Sequence, residues 1–382
     1  MVSFSKKRNI IVCTSEYITS KEYGGLAIFL EKFFKILKKE YKINLILPST
    51  NDHLKNYDDI SIHQININKF YLKLLKKYST WIFYIVQSFL INKKIKNLIK
   101  KDSSIEFIHF SNYQYLGLLY DGNLPTVTRL SSLEDLWNKS TLFSIQKFFE
   151  KITLHKTSLI LSPSHHLLSV LKNTYGLIGY YLPPLIEKIR IKKIKTNKKI
   201  ILTFGSISPG KGSIAIQQVI NQLLKIDKNI YYFWIGNVDK KFYKSNFHYE
   251  QLLKGKTKFK NRIKIIPRMN RKKLFEFINK AQIVILPSLR DNSPNACLES
   301  LSLNKITIAR KDSGYNDLIK DKFNGFLFNK NKNEAILTLV SKILNLDFVA
   351  KAKLKKNINI QNNLFTPNKF ILSYNKYIKK II

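Results

Sequence analysis

The stretch Ser288 to Ser302, "SLRDNSPNACLESLS", holds two acids eight positions apart, Asp291 and Glu299. Between them lie an Asn-Ser-Pro-Asn turn and the start of an apolar run. Pro294 stiffens the turn, and Asn295, Ala296 and Cys297 read as the first turn of a helix. The amides of a first helical turn have no intrahelical acceptor and can donate to an anion. Asp291 falls in the loop before those amides and Glu299 about one turn into the helix, so the two carboxylates address different parts of one ligand. A plainer reading of the same residues makes Asp291 a helix cap and Glu299 a surface acid. The rest of the chain decides between the two.

Outward from this stretch, short β-rich runs alternate with helical patterns, which is the signature of α/β units around a parallel sheet. In the first half "RNIIVCTS", "INLILP", "IEFIHF" and "PTVTRL" read as strands, and "SLILSPS" (Ser158 to Ser164) is expected to close their sheet. "GGLAIFLEKFFKILKK" carries Leu26, Phe29, Leu30, Phe33, Phe34 and Leu37 at helical spacing, and "SHHLLSVLKN" is a second helix. A basic, poorly patterned segment, Ile186 to Lys199, reads as a connection. The alternation then restarts: strand "KIILTFGS", helix "GSIAIQQVINQLLK", strands "IYYFWIG" and "RIKIIP", helix "RKKLFEFINKA", strand "IVILPS", helix "ACLESLSL", strand "KITIAR". The predicted fold is α/β with two doubly wound, Rossmann-like domains facing a central cleft. Domain boundaries are expected at 1–187 and 198–361, with a basic, aromatic helix over 362–382 crossing back onto the first domain. In such sheets ligands sit at the carboxyl ends of strands, so the chemistry is sought in the loops that follow them.

Composition excludes more than it assigns. The 382 residues are too many for one ordinary core. The two cysteines, Cys13 and Cys297, have no neighbour at metal-ligand spacing, which argues against a zinc site or a disulfide scaffold. Lys plus Arg number 66 against 25 Asp plus Glu, a formal charge of +41. Such a surface attracts nucleic acid, anionic membrane or small anions. The lysines, however, are spread along the chain beside many Ile and Asn, as in chains from AT-rich genomes. No localised basic stripe or nucleic-acid module is present, so a nucleic-acid partner is not expected. No apolar run reaches the roughly 18–20 residues that span a bilayer, and "MVSFSKKRNIIVC" lacks a signal-peptide core. The expected location is the cytoplasm, at the inner face of the membrane. Phe70 to Lys101 interleaves lysine with Trp81, Phe83, Tyr84 and Phe89, a surface suited to an anionic bilayer. The same pattern also describes two buried helices with solvated lysines.

After the strand "IILTF" comes "GSISPGKGSIAI". Gly205, Gly210 and Gly212 let the backbone approach a ligand, and Lys211 stands just before a helix N-terminus, where free amides and the helix dipole suit phosphate. The spacing is neither that of a Walker loop nor that of a dinucleotide fingerprint.

In order, "FGSISPGKG", "FWIGN", "RIKIIPRMNRKKLFEFINKAQIVILPS", "DNSPNACLE", "DSGYNDLI" and "NGFLF" resemble the C-terminal half of the retaining glycosyltransferases of GT-B fold, family 4 (glycosyl transferases group 1). The likeness spans residues 204–328, and in the first half only "KEYGGLAIFLEKFFKILKK" adds to it. The resemblance implies that Lys211 neutralises a donor diphosphate and that Asp291 contacts the donor sugar. It implies that Glu299 binds the ribose, and that the amides at Asn295 and Ala296 hold phosphate. Arg268 would border the base, Gly205 and Ser206 would line the donor loop, and Gly24 and Gly25 would form the glycine pair of the first domain that meets the donor.

Three departures stand out. Ser206 occupies the family's arginine position, so one diphosphate cation is missing. Asp291 is one methylene shorter than the usual Glu. Ser111 replaces a second His near the donor sugar, and His109 is expected to be a packed, hydrogen-bonded strand-end residue with no catalytic assignment. The implied activity is metal-independent transfer, with retention, from a nucleotide-diphosphate sugar to a glycan or lipid-linked acceptor in cell-surface polysaccharide or lipopolysaccharide synthesis. The absence of Asp-x-Asp fits this, and no cofactor is expected. Ser206 and Asp291 motivate the alternative, a catalytically impaired nucleotide- or glycan-binding protein on the same fold.

Overall fold

The computed structural model describes residues 7–17, 24–49, 60–66, 80–136, 144–187, 189, 191–192, 196, 198–292, 294–329 and 332–382. They form two compact units. The first comprises 1–185 together with Pro367–Ile382, and the second is Ile186–Thr366. Of Phe70–Lys101, the part before Thr80 lies outside the described residues.

In the first unit the strands are β1 (Arg8–Cys13), β2 (Tyr41–Ser49), β3 (Ser61–Asn66), β4 (Ile105–Ser111), β5 (Thr126–Arg129), β6 (Leu159–Ser162) and β7 (Tyr180–Tyr181). Its helices are α1 (Gly25–Leu37), α2 (Thr80–Lys101), α3 (Ile145–His155) and α4 (His165–Tyr175). The sheet is parallel, with strand order β3-β2-β1-β4-β5-β6-β7. In β1, Ile10 to Cys13 are at most 1% exposed. A strand covered on both faces reads as a continuous apolar run, which is why "NIIVC" stood out. The sheet does not end at Ser158–Ser164 as the sequence led us to expect: Leu161 pairs with Tyr180 and Ser162 with Tyr181. That last strand is two residues long, after Gly179 and one residue short of Pro183, too short to show a period. Ser164 caps α4 by accepting from the Leu167 amide, and Gly176 ends it at φ 68°, where a Cβ would be strained.

The helix Pro367–Ile378 closes the core of this first unit. Proline suits its opening position, where no intrahelical N–H bond is lost. Phe370, Tyr374 and Ile378 recur every four residues and are buried. Tyr374 meets Phe33 edge-on at 5.3 Å and Tyr41 at 6.2 Å, and its hydroxyl lies 3.0 Å from His109 Nδ1. The Tyr41 hydroxyl donates to Asn375 Oδ1 at 2.7 Å.

In the second unit the strands are β8 (Lys199–Phe204), β9 (Ile230–Ile235), β10 (Ile263–Ile266), β11 (Ile283–Leu286), β12 (Ile306–Arg310) and β13 (Phe326–Phe328). Their order is β10-β9-β8-β11-β12-β13, all parallel. The helices are α5 (Ser213–Lys225), α6 (Asn246–Lys254), α7 (Arg271–Lys280), α8 (Asn295–Ser302), α9 (Tyr315–Leu318), α10 (Ala335–Asn345) and α11 (Phe348–Asn362); the closing helix of the first unit is α12. Successive strand residues fall into two different cores. Ile201, Ile283 and Ile285 belong to one, whereas Ile200, Leu202, Val284 and Leu286 belong to the other. Because side chains alternate along a strand, helices cover both faces of this sheet. Among the described residues no helix is long and apolar enough to cross a membrane.

Two stability predictions follow from the first unit. Tyr374→Ala is expected to cost about 3–5 kcal/mol, the range for emptying a large aromatic site, as read by urea unfolding; a loss within 1 kcal/mol would mean that α12 does not complete this core. The second concerns two buried titratable groups with opposite pH signatures. Burial raises the Glu150 carboxyl to about 7, and burial with the nearby Arg129 charge holds His109 down to about 3. Glu150 keeps its proton longer in the folded state, so its contribution is full below about pH 4.5 and is lost as pH rises towards 7. His109 does the reverse: its contribution is present above about 6.5 and is lost as pH falls towards 3. Glu150→Gln should therefore remove a fall in unfolding free energy between pH 4.5 and 7, leaving the His109 slope exposed. Parallel pH profiles for the variant and the wild type would contradict this.

Candidate active site

In an open doubly wound sheet, ligands bind beyond the carboxyl ends of the strands where the strand order reverses. In the second unit that point lies between β8 and β11, which pair through Ile201–Ile283 and Leu202–Val284. The loop after β8 first runs beside the end of β9. The Gly205 N–H donates to Ile235 O at 3.0 Å, Ile207 N–H to Asn237 O at 2.9 Å, and Asp239 N–H to Ile207 O at 2.9 Å. The chain then turns at Pro209–Lys211, where the Ser208 hydroxyl accepts from the Lys211 amide at 3.3 Å. Gly212 has φ 86°, and a Cβ there would lie 2.4 Å from Pro287 O. The Leu289 N–H donates to Gly210 O at 2.9 Å. The loops after β8 and β11 are thus joined through their backbones, which glycine at 212 allows.

That junction brings two of the expected site residues into contact. Lys211 Nζ lies 2.7 Å from Asp291 Oδ2, with the carboxylate 15% and the lysine side chain 35% exposed. Asp291 is held from a second direction as well. Its backbone carbonyl accepts from Gly314 N–H at 2.7 Å, and the buried Tyr315 hydroxyl lies 3.4 Å from Oδ2. Burial and the Asp291 charge push the Tyr315 phenol well above its ordinary pKa, so it stays protonated and donates to the carboxylate. Gly314 is required by close approach: a Cβ would lie 2.4 Å from Asn292 O.

Helix α8 starts at Asn295, with Pro294 as its N-cap and no side chain bonded there as a cap. Cys297 and Leu298 N–H groups both donate to Pro294 O, so the Ala296 amide lies ahead of the first N–H that bonds within the helix. Glu299 sits in the second turn with its carboxylate 7% exposed, 3.3 Å from Arg271 of α7. Ser206 is exposed in the first loop. Arg268, in the exposed loop after β10, donates its N–H to Asn237 Oδ1 at 2.9 Å. Gly205, Ser206, Lys211, Asp291, Asn295, Ala296 and Glu299 therefore belong to two joined loops and the helix that follows. Gly24 and Gly25 belong to the first unit, at the start of α1, where the Glu16 carboxylate accepts from the Gly24 and Ala27 amides at 3.1 and 3.3 Å. His109 is buried in the first unit against Tyr374 and Phe33.

Sequence reading missed three members of this arrangement. Tyr315 and Gly314 belong to the quoted "DSGYNDLI", where an aromatic after a glycine gave a sign of close packing but not of its target. Arg271 lay in a run of basic residues, with nothing to single it out.

The profile of the family described as glycosyl transferases group 1 matches residues 186–362. The chain carries a group 1 glycosyltransferase domain. No match was found among curated proteins. Solved structures similar to the chain include sucrose-phosphate synthase from Thermosynechococcus elongatus, at 13% identity and TM-score 0.81, covering 98% of this chain and 99% of that one. A glycosyltransferase from Rickettsia africae matches at 16% identity and TM-score 0.72, covering 99% of each. WaaG, a glycosyltransferase involved in lipopolysaccharide biosynthesis, matches at 13% identity and TM-score 0.68, covering 94% of this chain and 98% of that one. The fold is GT-B, with two Rossmann-like α/β domains. The group 1 match begins where the second unit begins, and the joined loops lie inside it.

Gly212→Ala is expected to destabilise the second unit by about 1–3 kcal/mol or more, through a left-handed backbone and a backbone collision. Chemical unfolding followed at Trp234, buried in this unit, reads the change. A fully stable alanine variant would show that the two loops are not joined as described.

Proposed function

We propose that this protein is a retaining glycosyltransferase that moves a sugar from a nucleotide-diphosphate donor to a hydroxyl of a glycan or lipid-linked acceptor. The observation that carries this reading is the Lys211–Asp291 pair beside the start of α8, inside a group 1 domain. A part-exposed ion pair of this kind is worth at most about 1 kcal/mol. A diphosphate, with more charge and more acceptor oxygens, competes well for the ammonium. Lys211 then leaves Asp291 for the diphosphate, and the freed carboxylate accepts the sugar hydroxyls. The α8 amides hold phosphate oxygens, and Glu299, steadied by Arg271, takes the ribose hydroxyls.

In the transfer itself, the acceptor oxygen bonds to the anomeric carbon on the face the diphosphate leaves. The carbon–oxygen bond to phosphate breaks with its electron pair going to the diphosphate. The acceptor proton passes to a leaving-group oxygen. Catalysis is positioning plus charge neutralisation, with no protein nucleophile and no metal ion required. Because Ser206 brings no charge, leaving-group stabilisation rests on Lys211 and the helix start.

We place the enzyme in cell-surface polysaccharide or lipopolysaccharide synthesis, at the inner, cytoplasmic face of a membrane. WaaG's involvement in lipopolysaccharide biosynthesis supports that placing. So do the exposed Trp81 and Phe89 on the lysine-bearing helix α2, which suit contact with anionic lipid. The second reading, a binding protein without turnover, is favoured by Ser206, which brings no charge to the diphosphate, and by Asp291, which is one methylene shorter than the family's usual Glu.

Purified protein is expected to be stabilised by a nucleoside diphosphate in thermal-shift assays and to transfer or slowly hydrolyse one nucleotide sugar. Lys211→Ala should lower turnover by about 100-fold or more, as removal of a main electrostatic stabiliser does, while a chelator leaves activity in place. Stabilisation without transfer or hydrolysis of any donor would select the binding-protein reading. Full activity of Lys211→Ala would end the assigned role of that lysine.

A further inference from the structure

Donor binding, as proposed, takes away one of the two side chains that bond the Asp291 carboxylate among the described residues. Lys211 Nζ lies 2.7 Å from Oδ2, and the Tyr315 hydroxyl lies 3.4 Å from the same oxygen. Among the described residues no hydrogen bond reaches Oδ1, and the carboxylate is 15% exposed. When a diphosphate draws the ammonium away, Tyr315 is the side chain left on Oδ2. At 3.4 Å its bond is long, and hydrogen bonds in active sites commonly tighten only when the complex forms.

The phenol is set in place by its surroundings. Tyr315 is 1% exposed and shares a core with Leu286, Cys297 and Leu301. Its amide donates to the Ser313 hydroxyl at 3.3 Å, and that hydroxyl donates to Arg310 O at 3.2 Å. Gly314 comes so close to the Asp291 loop that a Cβ would lie 2.9 Å from Asp291 O. That approach brings the next residue's hydroxyl to the carboxylate. A carboxylate only accepts, so the phenol spends its single proton on Oδ2. The Ser288 hydroxyl also bonds the phenol and must then donate to the phenol oxygen. Ser288, which is buried, opens the loop that carries Asp291. The result is a one-way chain from Ser288 through Tyr315 to Asp291, in which each bond polarises and strengthens the next.

We propose that Tyr315 is a positioning residue for transfer: its phenol keeps Oδ2 of Asp291 in place after Lys211 moves to the diphosphate, so that Oδ1 meets the sugar hydroxyls. This rests on the transferase reading and deepens it. Asp291 is one methylene shorter than the family's usual acid, and Asp291 with Tyr315 acts as one unit in its place. Without the phenol, the freed carboxylate turns about χ2 or follows the ammonium, and the sugar must reorder it on binding. The diphosphate is held by other groups, Lys211 and the start of α8, so the phenol bears on the sugar and not on the nucleotide.

The test is a double-variant cycle on the whole chain. Its probes are uridine, adenosine, guanosine and thymidine diphosphate sugars, each beside its free nucleoside diphosphate. Phenylalanine keeps the ring and its packing and removes only the hydroxyl. Tyr315→Phe is expected to lower kcat/KM about 10-fold, the low end for a hydrogen bond to a charged group, while nucleoside diphosphate affinity stays within about twofold. Asp291→Glu should lose about as much, because the longer acid no longer meets the phenol. The double variant should be no worse than the poorer single one, where independent residues would give about 100-fold. Lys211→Ala differs in kind, weakening the nucleoside diphosphate itself. If Tyr315→Phe does not fold, Ser288→Ala carries the result, with a smaller loss of the same kind. If the wild type binds a nucleotide sugar without turnover, its affinity relative to the nucleoside diphosphate takes the place of kcat/KM. Unchanged Tyr315→Phe or Asp291→Glu, multiplying losses in the double variant, or an equal loss of nucleoside diphosphate affinity would overturn the role of Tyr315 alone. A wild type that neither turns over any of these sugars nor prefers one to its nucleoside diphosphate would end the transferase reading and this role with it.

Discussion

One ion pair, Lys211 to Asp291 at 2.7 Å, ties together most of what is particular to the second unit. It spans the reversal of strand order, the place where a parallel sheet leaves strand ends and helix starts open to a ligand. Its members come from loops 80 positions apart in sequence. They meet because Gly212 lets one loop lie against the Pro287 carbonyl of the other, while the Gly210 carbonyl accepts the Leu289 amide. Take away that backbone junction and the carboxylate and the ammonium are no longer held together near the start of α8. Within the pair each group compensates the other.

Around that pair the supporting residues act mainly on Asp291. Gly314 fixes its backbone and Tyr315 donates to its side chain, both from the short helix after β12. A shorter acid than the family's usual glutamate has less reach and fewer rotamers. Holding it from two directions turns that loss of reach into definition. Glu299 receives a different kind of support, from Arg271 of α7, and is more deeply buried. The two acids that looked alike in sequence are therefore unequal in the fold. One is poised at the loop junction and the other is set into a helix packed against the sheet.

Much of this was legible beforehand because parallel sheets advertise themselves. "NIIVC", "IILTF" and "IVIL" are mostly apolar runs, and each proved to be a central strand covered on both faces. Lys211, Asp291 and Glu299 were legible for a second reason: loops after such strands carry few residues, and theirs include glycine, proline and charge in a recognisable order. What was not legible had no local signature. The edge strand Tyr180–Tyr181 is too brief to show alternation, and β13 too short to stand apart from its motif. Arg271 was hidden among neighbouring basic residues. Tyr315 gains its meaning only from a partner 24 positions away. Arg129 reads as an ordinary strand-end cation until it is seen to be buried over Phe29 with no carboxylate paired to it among the described residues.

The helix Pro367–Ile378 bears on how the protein is made. Its aromatic side chains fill the core built from residues that leave the ribosome first, yet the whole second unit is translated in between. At about 5–20 residues per second, the interval is tens of seconds. Over that time the nascent first unit has an unfilled slot between Phe33, Tyr41 and His109, while the later-made unit has every strand it needs. Completion of the first core therefore waits for Pro367–Ile378, which is made after the whole of the second unit, against the usual vectorial order.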